Sequence, residues 1–403
     1  MKIGIIGGGP AGMMAALQAR HAGAQVLLMD ANPAIGRKLA ATGSGRGNLS
    51  NRQATADKYF CDAPRVLETI FSQFGHIQLL RWLEQHSIFT YTTEDGWTYP
   101  VSNLAANVVD ILTAHLIQSG VEIISQTLIT DIQKVGGGFH LYTADTRRSF
   151  AVDRVVVATG GPAYPQLGAR DTINAILMKL DHSILPVLPA LAPLVTEAGP
   201  FHKLQGVRLD AGVSLLAEGK EIGRTFGNII FTTWGLNGPG VMDLNHLVNL
   251  HSSSKLTLYL DLTGGHSAEI DRLINDSRNI SMPMIVLLES ILPVKLARFI
   301  LEQSRLKPDI SVGECSNKEL NAVKEALTHQ AVQVKGSKGF KESQLSTGGV
   351  PLKEVNAESL ESGKCRGLYL AGEVLNVIGP CGGFNLQWAF SSGYVAGKHS
   401  VAD

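Results

Sequence analysis

The chain has 403 residues, of which 44% are hydrophobic and 17% are charged, so the composition excludes a disordered protein. Its length predicts two or three domains. The 35 basic and 35 acidic side chains balance, which gives no electrostatic sign of DNA or of a membrane surface as a partner. The apolar runs are too short to span a bilayer. The four scattered cysteines lack zinc spacing, so we predict a cytoplasmic protein without a metal site.

The chain starts with a pattern typical of one βαβ unit. An apolar strand, Lys2–Ile6, leads through a glycine turn into the helical stretch Met13–His21, and the strand Gln25–Asp30 follows. The turn reads Gly7-Gly8-Gly9-Pro10-Ala11-Gly12, a GxGxxG motif with a strand before it and a helix after it. Such glycines allow a tight turn, the approach of a pyrophosphate and close helix packing, while an acid such as Asp30 accepts the ribose hydroxyl. We therefore predict that a dinucleotide binds to Gly7, Gly9, Pro10, Ala11, Gly12 and Asp30.

The pattern changes twice further along the chain. Residues Ile35–Asn51 form a predicted ordered loop, and a helical region extends to about Ser119. The next predicted strands are Val121–Ile132, Phe139–Tyr142 and Arg154–Ala158. After about Pro189 we predict the antiparallel strands Val207–Leu216, Lys220–Thr232 and Leu256–Leu262, and then the helices Met284–Arg305 and Asn317–His329. From Ser346 the βα pattern returns with the strand Gly367–Ala371 and the helix Asn385–Lys398.

Three later segments favour FAD over NAD as the dinucleotide. A buried strand ends in Ala158-Thr159-Gly160-Gly161, which resembles the second pass of the chain beside FAD in flavoproteins with two dinucleotide folds. The strand at Gly367 ends in Gly372-Glu373, where such proteins place an acid on the ribityl chain. The turn Gly382-Gly383-Phe384-Asn385 begins a helix whose positive end would stabilise reduced flavin at its N1–C2=O edge. No obvious attachment residue lies in these motifs, so we expect FAD to be bound non-covalently.

Together with further segments, these motifs resemble the BaiN/YhiN family of FAD-binding Rossmann-fold flavoproteins, which includes aminoacetone-oxidase-like members. The segments are Gly36–Leu39, Thr42–Asn51, Thr159–Pro165, Phe231–Pro239, Thr347–Val350, Gly372–Val377 and Gly383–Ala389. The resemblance implies an α/β fold: a two-dinucleotide-fold, glutathione-reductase-like FAD domain with an inserted β-barrel-like domain and a small helical subdomain. We expect the FAD domain to comprise residues 1–190 and 346–403. The insertion would span 191–345, with its helical part at about 265–330.

The predicted FAD site combines the glycine motif with residues from these segments. They are Ala31, Arg37, Lys38, Thr42, Gly43, Arg46, Asn48, Ile129, Ala158, Thr159, Gly160, Gly161, Gly372, Glu373, Gly383, Asn385 and Leu386. Among them, Arg37, Lys38 and Arg46 supply positive charge either to the pyrophosphate or to an anionic substrate. No residue in the sequence can be assigned as a general base, so the catalytic residues are unknown. His182, His202 and His246 show no metal spacing and are interpreted as structural or exposed.

The resemblance implies an FAD-dependent oxidoreductase that exchanges hydride between flavin N5 and a substrate held between the FAD domain and the insertion. NADH or NADPH is a candidate electron donor, and the partner is a small molecule or an RNA nucleobase. Three alternatives are flavin-dependent reduction of a ribosomal-RNA uridine to dihydrouridine, oxidation of a small amine, and a redox-responsive flavin-binding protein without turnover.

The sequence departs from the family's usual residues at two positions that bear on catalysis. Gly47 stands where the family usually carries Cys, and Thr233 stands where it usually carries His. Because both replaced side chains could transfer protons, we expect slow turnover of family-typical substrates or none at all. The variant that combines Gly47→Cys with Thr233→His is expected to keep its flavin.

Overall fold

The structure, a computed structural model, describes residues 1–197, 199–279 and 281–402. They divide into two compact units. The first unit combines Met1–Leu188 with a return segment that begins at Gln344, and the second unit is Pro189–Ser343.

The first unit starts with twelve strands and six α-helices in its N-terminal segment. The strands are β1 (Lys2–Ile6), β2 (Gln25–Met29), β3 (Ser50–Asn51), β4 (Phe60–Cys61), β5 (Thr90–Thr92), β6 (Trp97–Pro100), β7 (Glu122–Ile124), β8 (Ile129–Val135), β9 (Gly138–Thr143), β10 (Ser149–Val152), β11 (Arg154–Val157) and β12 (Leu185–Ala190). The helices are α1 (Pro10–His21), α2 (Arg37–Ala40), α3 (Pro64–Gln73), α4 (His76–Gln85), α5 (Ala105–Gln118) and α6 (Thr172–Lys179).

The second unit and the return segment supply the remaining elements. The strands of the second unit are β13 (Leu194–Thr196), β14 (Arg208–Ala217), β15 (Lys220–Phe231), β16 (Gly235–Asn237), β17 (Leu256–Asp261) and β18 (Gln330–Ser337). Its helices are α7 (Pro239–Met242), α8 (Asn245–Leu250), α9 (Ser267–Asp276), α10 (Met284–Glu289), α11 (Val294–Gln303) and α12 (Asn317–Thr328). The return segment adds β19 (Leu345–Gly349), β20 (Leu368–Leu370), β21 (Val377–Ile378) and α13 (Phe384–His399).

A five-stranded parallel sheet forms the centre of the first unit, in the order β20-β11-β1-β2-β7. Its inner strands are apolar along nearly their whole length because both faces are covered: α1 packs against β1 and β11, and Leu141 of β9 and Val152 of β10 pack against Gly4 of β1. Helix α13 packs on α1, and a Cβ at Gly393 or Gly397 would clash with the backbone of that helix. The return segment therefore supplies both an edge strand and a covering helix to this sheet, and the predicted βαβ start is confirmed.

The second unit contains a closed barrel with the strand order β13-β16-β15-β14-β17-β18. Neighbouring strands are antiparallel. Every second residue of β14 is buried, as Ala211, Val213 and Leu215 show, because one face of each strand points to the core. The predicted fold class, an α/β flavin-type domain with an inserted β-barrel, is confirmed.

Three predicted elements differ from the structure for local reasons. The stretch predicted as one strand, Val121–Ile132, is divided into β7 and β8 around Gln126, whose φ is +52°. The helix predicted at Met284–Arg305 is interrupted before Pro293 and becomes α10 and α11, since proline lacks the N–H that a helix interior needs. The region predicted as helical up to Ser119 also contains the hairpin β5–β6.

A buried histidine fastens the return segment to the loop after α6. The His182 ring contacts the Glu354 carboxylate through Nδ1 and the Ser362 hydroxyl through Nε2, both at 2.8 Å. Although this order resembles a hydrolase triad, Ser362 is buried, and its oxygen accepts the N–H of Cys365 at 2.8 Å. The group is therefore structural, as the sequence interpretation of His182 allowed.

We expect Glu354→Ala to lower the free energy of unfolding by about 1–3 kcal/mol, because it leaves a buried imidazole N–H without an acceptor. Burial raises the pKa of Glu354, but hydrogen bonds from Ser183 and His182 outweigh this effect and hold it below its ordinary value. The stabilisation is thus present above the ordinary carboxyl pKa and is lost as the pH falls through the lowered one. Urea unfolding at neutral and acid pH measures both effects. Glu221→Ala, at an exposed glutamate paired with Arg224, is the control; equal midpoints for the two variants would contradict the prediction.

Candidate functional site

The glycine turn between β1 and α1 is tightly packed at Gly7 and Gly12 but leaves open space at Gly9. Gly7 has φ +105°, and a Cβ there would clash with Ala158, while a Cβ at Gly12 would clash with Gly7 O. At Gly9, by contrast, a Cβ would have no described atom within 4 Å. Gly9 precedes Pro10, the first residue of α1, so this open space lies at the helix start, where unpaired N–H groups bind phosphate.

Asp30 holds two backbone turns at the carboxyl end of β2. Its Oδ2 accepts the Gly8 N–H at 2.7 Å, and its Oδ1 accepts the Asn32 N–H at 2.7 Å. The predicted ribose ligand is therefore also a structural residue that fixes the glycine turn between β1 and α1. It is 9% exposed as a whole and lines the cavity described next.

A cavity beside Asp30 collects five of the predicted residues from separate parts of the chain. They are Gly7, Asp30, Ala31, Ile129 and Thr159. The same cavity is lined by residues that the sequence did not indicate, Asn32, Thr127, Gly168, Arg170 and Thr172 among them. Its position at the carboxyl ends of parallel strands is where Rossmann-type sheets bind nucleotides.

A second group surrounds Glu373, directly after β20. Glu373 Oε2 is 2.8 Å from Lys38 Nζ, and its Oε1 accepts the Ser346 N–H at 2.8 Å and the Ser346 hydroxyl at 2.9 Å. A Cβ at Gly161 would lie 2.8 Å from Glu373 Oε1, so this backbone passes beside the carboxylate. The structure thus brings the predicted residues Lys38, Gly161 and Glu373 together. Ser346, to which no sequence signal pointed, orients the acid.

The start of α13 forms a third group. Gly382 and Gly383 have φ of +107° and +96°, and Asn51 Nδ2 donates to Gly382 O at 2.9 Å. Gly383 packs on Ser50 O, and the side-chain amide of Asn48 lies beside it. Asn385 uses both ends of its amide on Gly379, at 2.8 Å each. Its side chain fastens the turn, and cofactor binding by Asn385 stays a prediction.

These three groups fit a bound dinucleotide, because the described side chains leave space at Gly9 and place polar groups beside each glycine turn. Among residues 1–197, 199–279 and 281–402, no cluster of His, Cys, Asp or Glu could hold a metal ion. Nor does any described helix have the length and apolar character needed to cross a membrane.

Comparison with known proteins settles the family. The family described as HI0933-like protein Rossmann domain matches residues 1–399. The chain belongs to this family. A "3-dehydro-bile acid delta(4,6)-reductase" of Clostridium scindens is 32% identical over 98% of this chain and 98% of the relative. A "ribosomal RNA dihydrouridine synthase" of Escherichia coli is 27% identical over 99% of this chain and 97% of the relative. The predicted membership, FAD as cofactor and FAD-dependent oxidoreductase activity are confirmed.

A solved structure shows the same fold. The 3-ketosteroid Δ1-dehydrogenase from Sterolibacterium denitrificans aligns with a TM-score of 0.54 over 99% of each chain, at 11% identity. This likeness supports the arrangement of the elements in the HI0933-like family.

The three basic residues of the predicted FAD site contact different parts of the first unit. Arg37 Nη1 lies 3.5 Å from Asn32 Oδ1, so it joins the group around the Asp30 cavity. Arg46 instead contacts Tyr91, Tyr99 and Asn103 on and near the hairpin β5–β6. The remaining predicted residues have local packing roles: the Thr42 hydroxyl donates to Leu39 O at 2.7 Å, and Gly43, Ala158, Gly160, Gly372 and Leu386 lie in or beside the three groups.

The two departures from the family's usual residues have different surroundings. Gly47 is buried with φ +79°, and a Cβ there would lie 3.1 Å from Ala105. Gly47→Cys would therefore strain this backbone rather than restore a family side chain at no cost. Thr233 is exposed in the second unit.

Tyr164 is a further polar residue near the start of α13. Its backbone is left-handed, with φ +61° and ψ +59°, a conformation that costs a non-glycine residue about 1–3 kcal/mol. Burial raises the pKa of Tyr164, and the neighbouring Cys381 raises it further. Cys381 directly precedes Gly382, so Tyr164 lies near the turn that begins α13. Tyr164 stood in a family motif, but nothing in the sequence marked its backbone strain.

Proposed function

We propose that this flavoprotein reduces a carbon–carbon double bond conjugated to a carbonyl group in a small-molecule substrate. The observation that carries the proposal is the name of the relative that is 32% identical, a 3-dehydro-bile acid Δ4,6-reductase. In such a compound the Δ4,6 double bonds are conjugated to the 3-oxo group. The carbonyl makes the far alkene carbon electrophilic, so that carbon can accept a hydride.

The reduction requires one hydride and one proton for each double bond. Bound FAD supplies the hydride from N5 after two-electron reduction, for which we propose NADH or NADPH as the donor. The hydride forms a C–H bond at the β carbon, the π electrons move toward the carbonyl, and a proton forms the second C–H bond at the α carbon. The protein must therefore hold the cofactor and deliver that proton.

The three groups of residues described above would hold the cofactor in three parts. The start of α1 at Gly9 would bind the pyrophosphate, and the cavity of Gly7, Asp30 and Thr159 would take the adenosine. Glu373, paired with Lys38, would contact the ribityl chain. The start of α13 would place its positive end near the flavin N1–C2=O edge.

For the proton we propose Tyr164 as the donor. A tyrosine hydroxyl is protonated at neutral pH, and the pKa of Tyr164 is raised further, so the proton is present to be donated. The strained backbone supports a functional constraint, since such conformations persist where the surrounding structure enforces them. The position of Tyr164 beside Cys381, next to the turn that begins α13, supports a place near the flavin.

An anaerobic reoxidation experiment tests the proposed reaction. The FAD-loaded enzyme is reduced with NADPH, NADH or dithionite and is mixed with a 3-oxo-Δ4 steroid, with the saturated 3-oxo steroid as the matched control. We expect only the unsaturated compound to restore the absorption of oxidised flavin, with the reduced steroid as product. If dithionite-reduced enzyme reacts with O₂ and not with the enone, the proposal fails and an oxidase is favoured.

Reduction of a uridine in ribosomal RNA is the second candidate. Two relatives, at 27% and 26% identity, carry the name ribosomal RNA dihydrouridine synthase, and the uracil C5=C6 bond is likewise conjugated to a carbonyl. The balanced charge of the chain supports a small molecule over RNA. An unmodified ribosomal-RNA transcript in the same reoxidation experiment distinguishes the two.

We also propose that the enzyme works in the cytoplasm. The four cysteines, all within the described residues, form no disulfide, which supports a reducing compartment.

A further inference from the structure

One face of the hairpin β5–β6 carries a row of aromatic and apolar side chains. Tyr91 pairs directly with Tyr99, so their side chains share one face. Trp97 is two residues from Tyr99 and lies on that face by strand alternation. Beyond the strand ends, the Val101 N–H donates to Phe89 O at 2.9 Å, which extends the pairing and adds both residues to the same face. We call these five residues the hairpin face.

Arg46 lies on the middle of the hairpin face in a fixed position. Its guanidinium is 4.2 Å from the centre of the Tyr99 ring. Nη2 donates to the Tyr91 hydroxyl at 3.0 Å and to Asn103 Oδ1 at 3.1 Å, and the Tyr91 hydroxyl donates to the same Asn103 oxygen at 2.7 Å. These neutral partners hold the guanidinium in place before any ligand arrives.

The arginine has no carboxylate partner within ion-pair distance among the described residues. Its Nη1 donates none of the hydrogen bonds named above. Nε donates to Asn103 Oδ1 at 3.3 Å, so the N–H groups of Nη1 are left to bind a carboxylate or phosphate through charge-assisted hydrogen bonds.

The two ends of the hairpin face differ. At one end Trp97 packs against Gly382, where a Cβ would lie 2.8 Å from the indole nitrogen, so this end adjoins the turn that begins α13. At the other end Phe89 is 62% exposed and Val101 is 61% exposed, and Leu104, which follows Asn103, is 53% exposed. An apolar surface thus continues past the arginine, starting from the turn that we assign to the flavin.

We propose that the hairpin face binds an amphipathic organic anion as substrate, with Arg46 binding its carboxylate and the exposed side chains of Phe89, Tyr91 and Val101 contacting its body. The proposal rests on the proposed function and adds to it the substrate class: an unsaturated carbonyl compound that also carries a carboxylate. Arg46 then acts on the substrate rather than on the FAD pyrophosphate.

The charges around the hairpin favour a single carboxylate over a polyanion. Glu94 and Asp95 lie exposed in the turn of the same hairpin, and Arg52 donates to Glu94 O at 2.9 Å, so this end of the hairpin does not form the basic surface that the phosphates of RNA require. One arginine beside an apolar surface complements a ligand with one charge and an apolar body.

The test compares an acid with its methyl ester, using the FAD-loaded enzyme. The substrates are 3-oxochol-4-en-24-oate and its methyl ester, and the variants are Arg46→Gln and Arg46→Lys. We expect Arg46→Gln to raise KM for the acid about tenfold more than KM for the ester, with kcat for the acid nearly unchanged at saturation. Arg46→Lys should recover part of this selectivity. Arg147→Gln, at an exposed arginine of the hairpin β9–β10, is the matched control and should keep the wild-type ratio.

A binding measurement separates this proposal from the proposed function. Equilibrium dialysis with cholate, which has no conjugated double bond, should show binding that Arg46→Gln weakens about tenfold. If cholate binds in this way while neither enone is reduced, the anion site stands and the proposed reaction fails.

Five outcomes would overturn the anion site. The first four are equal KM changes for acid and ester, cholate binding that does not depend on Arg46, loss of FAD from Arg46→Gln, and Arg46-dependent binding of oligouridylate without binding of cholate. The third would return Arg46 to the cofactor, and the fourth would assign the face to RNA. A concentration-dependent dimer that excludes cholate would assign it to a second copy of the chain, and it would equally contradict the proposal.

Discussion

Gly9→Val is expected to leave the purified protein almost colourless, with FAD affinity weakened by well over tenfold. Gly9 has φ −77° and ψ −177°, an extended conformation that valine adopts readily, so the backbone itself tolerates the change. The new side chain would instead fill the open space at the start of α1, where the pyrophosphate must approach. Flavin per protein, measured by absorbance and after release by acid precipitation, gives the result.

A control for this variant is available in the same unit. Gly137, in the turn between β8 and β9, also has open space at its Cβ position and lies away from the glycine motif. Gly137→Val should keep wild-type flavin. The Gly9 variant should also lose the stabilisation that bound cofactor gives, about 2.7 kcal/mol when free FAD is at a hundred times its Kd. Wild-type flavin content in Gly9→Val would refute our placement of the phosphate.

Tyr164→Phe is expected to lower kcat for enone reduction by about 10²–10⁴-fold, the usual contribution of a positioned acid. Flavin content and reduction by the nicotinamide should stay near wild type, because neither needs the hydroxyl. Stopped-flow measurement of the two half-reactions separates these effects. Tyr142→Phe, a change at a partly exposed tyrosine of β9, is the control.

The pH dependence gives an independent check on Tyr164. Its pKa is raised by burial and by Cys381, so the acid form persists to higher pH than in a free tyrosine. Enone reduction should therefore hold through neutral pH and fall only in the alkaline range, as the hydroxyl deprotonates. If Tyr164→Phe keeps kcat and this alkaline limit, the proton comes from another group.

Elements with strong periodicity were predicted from sequence to within a residue or two. The predicted strand Lys220–Thr232 is β15, and the predicted helix Asn385–Lys398 is α13 with one more residue at each end. In both, the hydrophobic pattern and the local backbone preferences agree with the tertiary structure. The hairpin β5–β6 was missed because it lies between helices and its strands are too short to show the alternating hydrophobic pattern of a β-strand.

The candidate site could be predicted from sequence only where the residues of a motif themselves require a particular backbone conformation. The glycine turns around Gly7 and Gly383 require positive φ, and such a requirement is visible in sequence. The pairing of Lys38 with Glu373 joins residues that are 335 positions apart, and only the fold brings them together. Charge alone likewise could not distinguish Lys38 from Arg46. Both lie in the segment predicted as one ordered loop, but Lys38 belongs to α2 and Arg46 comes after that helix, so the path of the backbone decides which partners each one meets.

Because the chain is synthesised from its N-terminus, the parallel sheet stays incomplete until the return segment has been made. Strand β11 is complete early, but its neighbour β20 lies roughly 200 residues later, a delay of about 10–40 s at typical rates of synthesis. During that interval the valine-rich edge of β11 that later pairs with β20 has no partner strand, and α13 does not yet cover α1. An unpaired apolar edge of this kind is prone to pair with other chains. The nascent protein should therefore depend on chaperones until the return segment emerges, and it should acquire its cofactor after synthesis rather than during it.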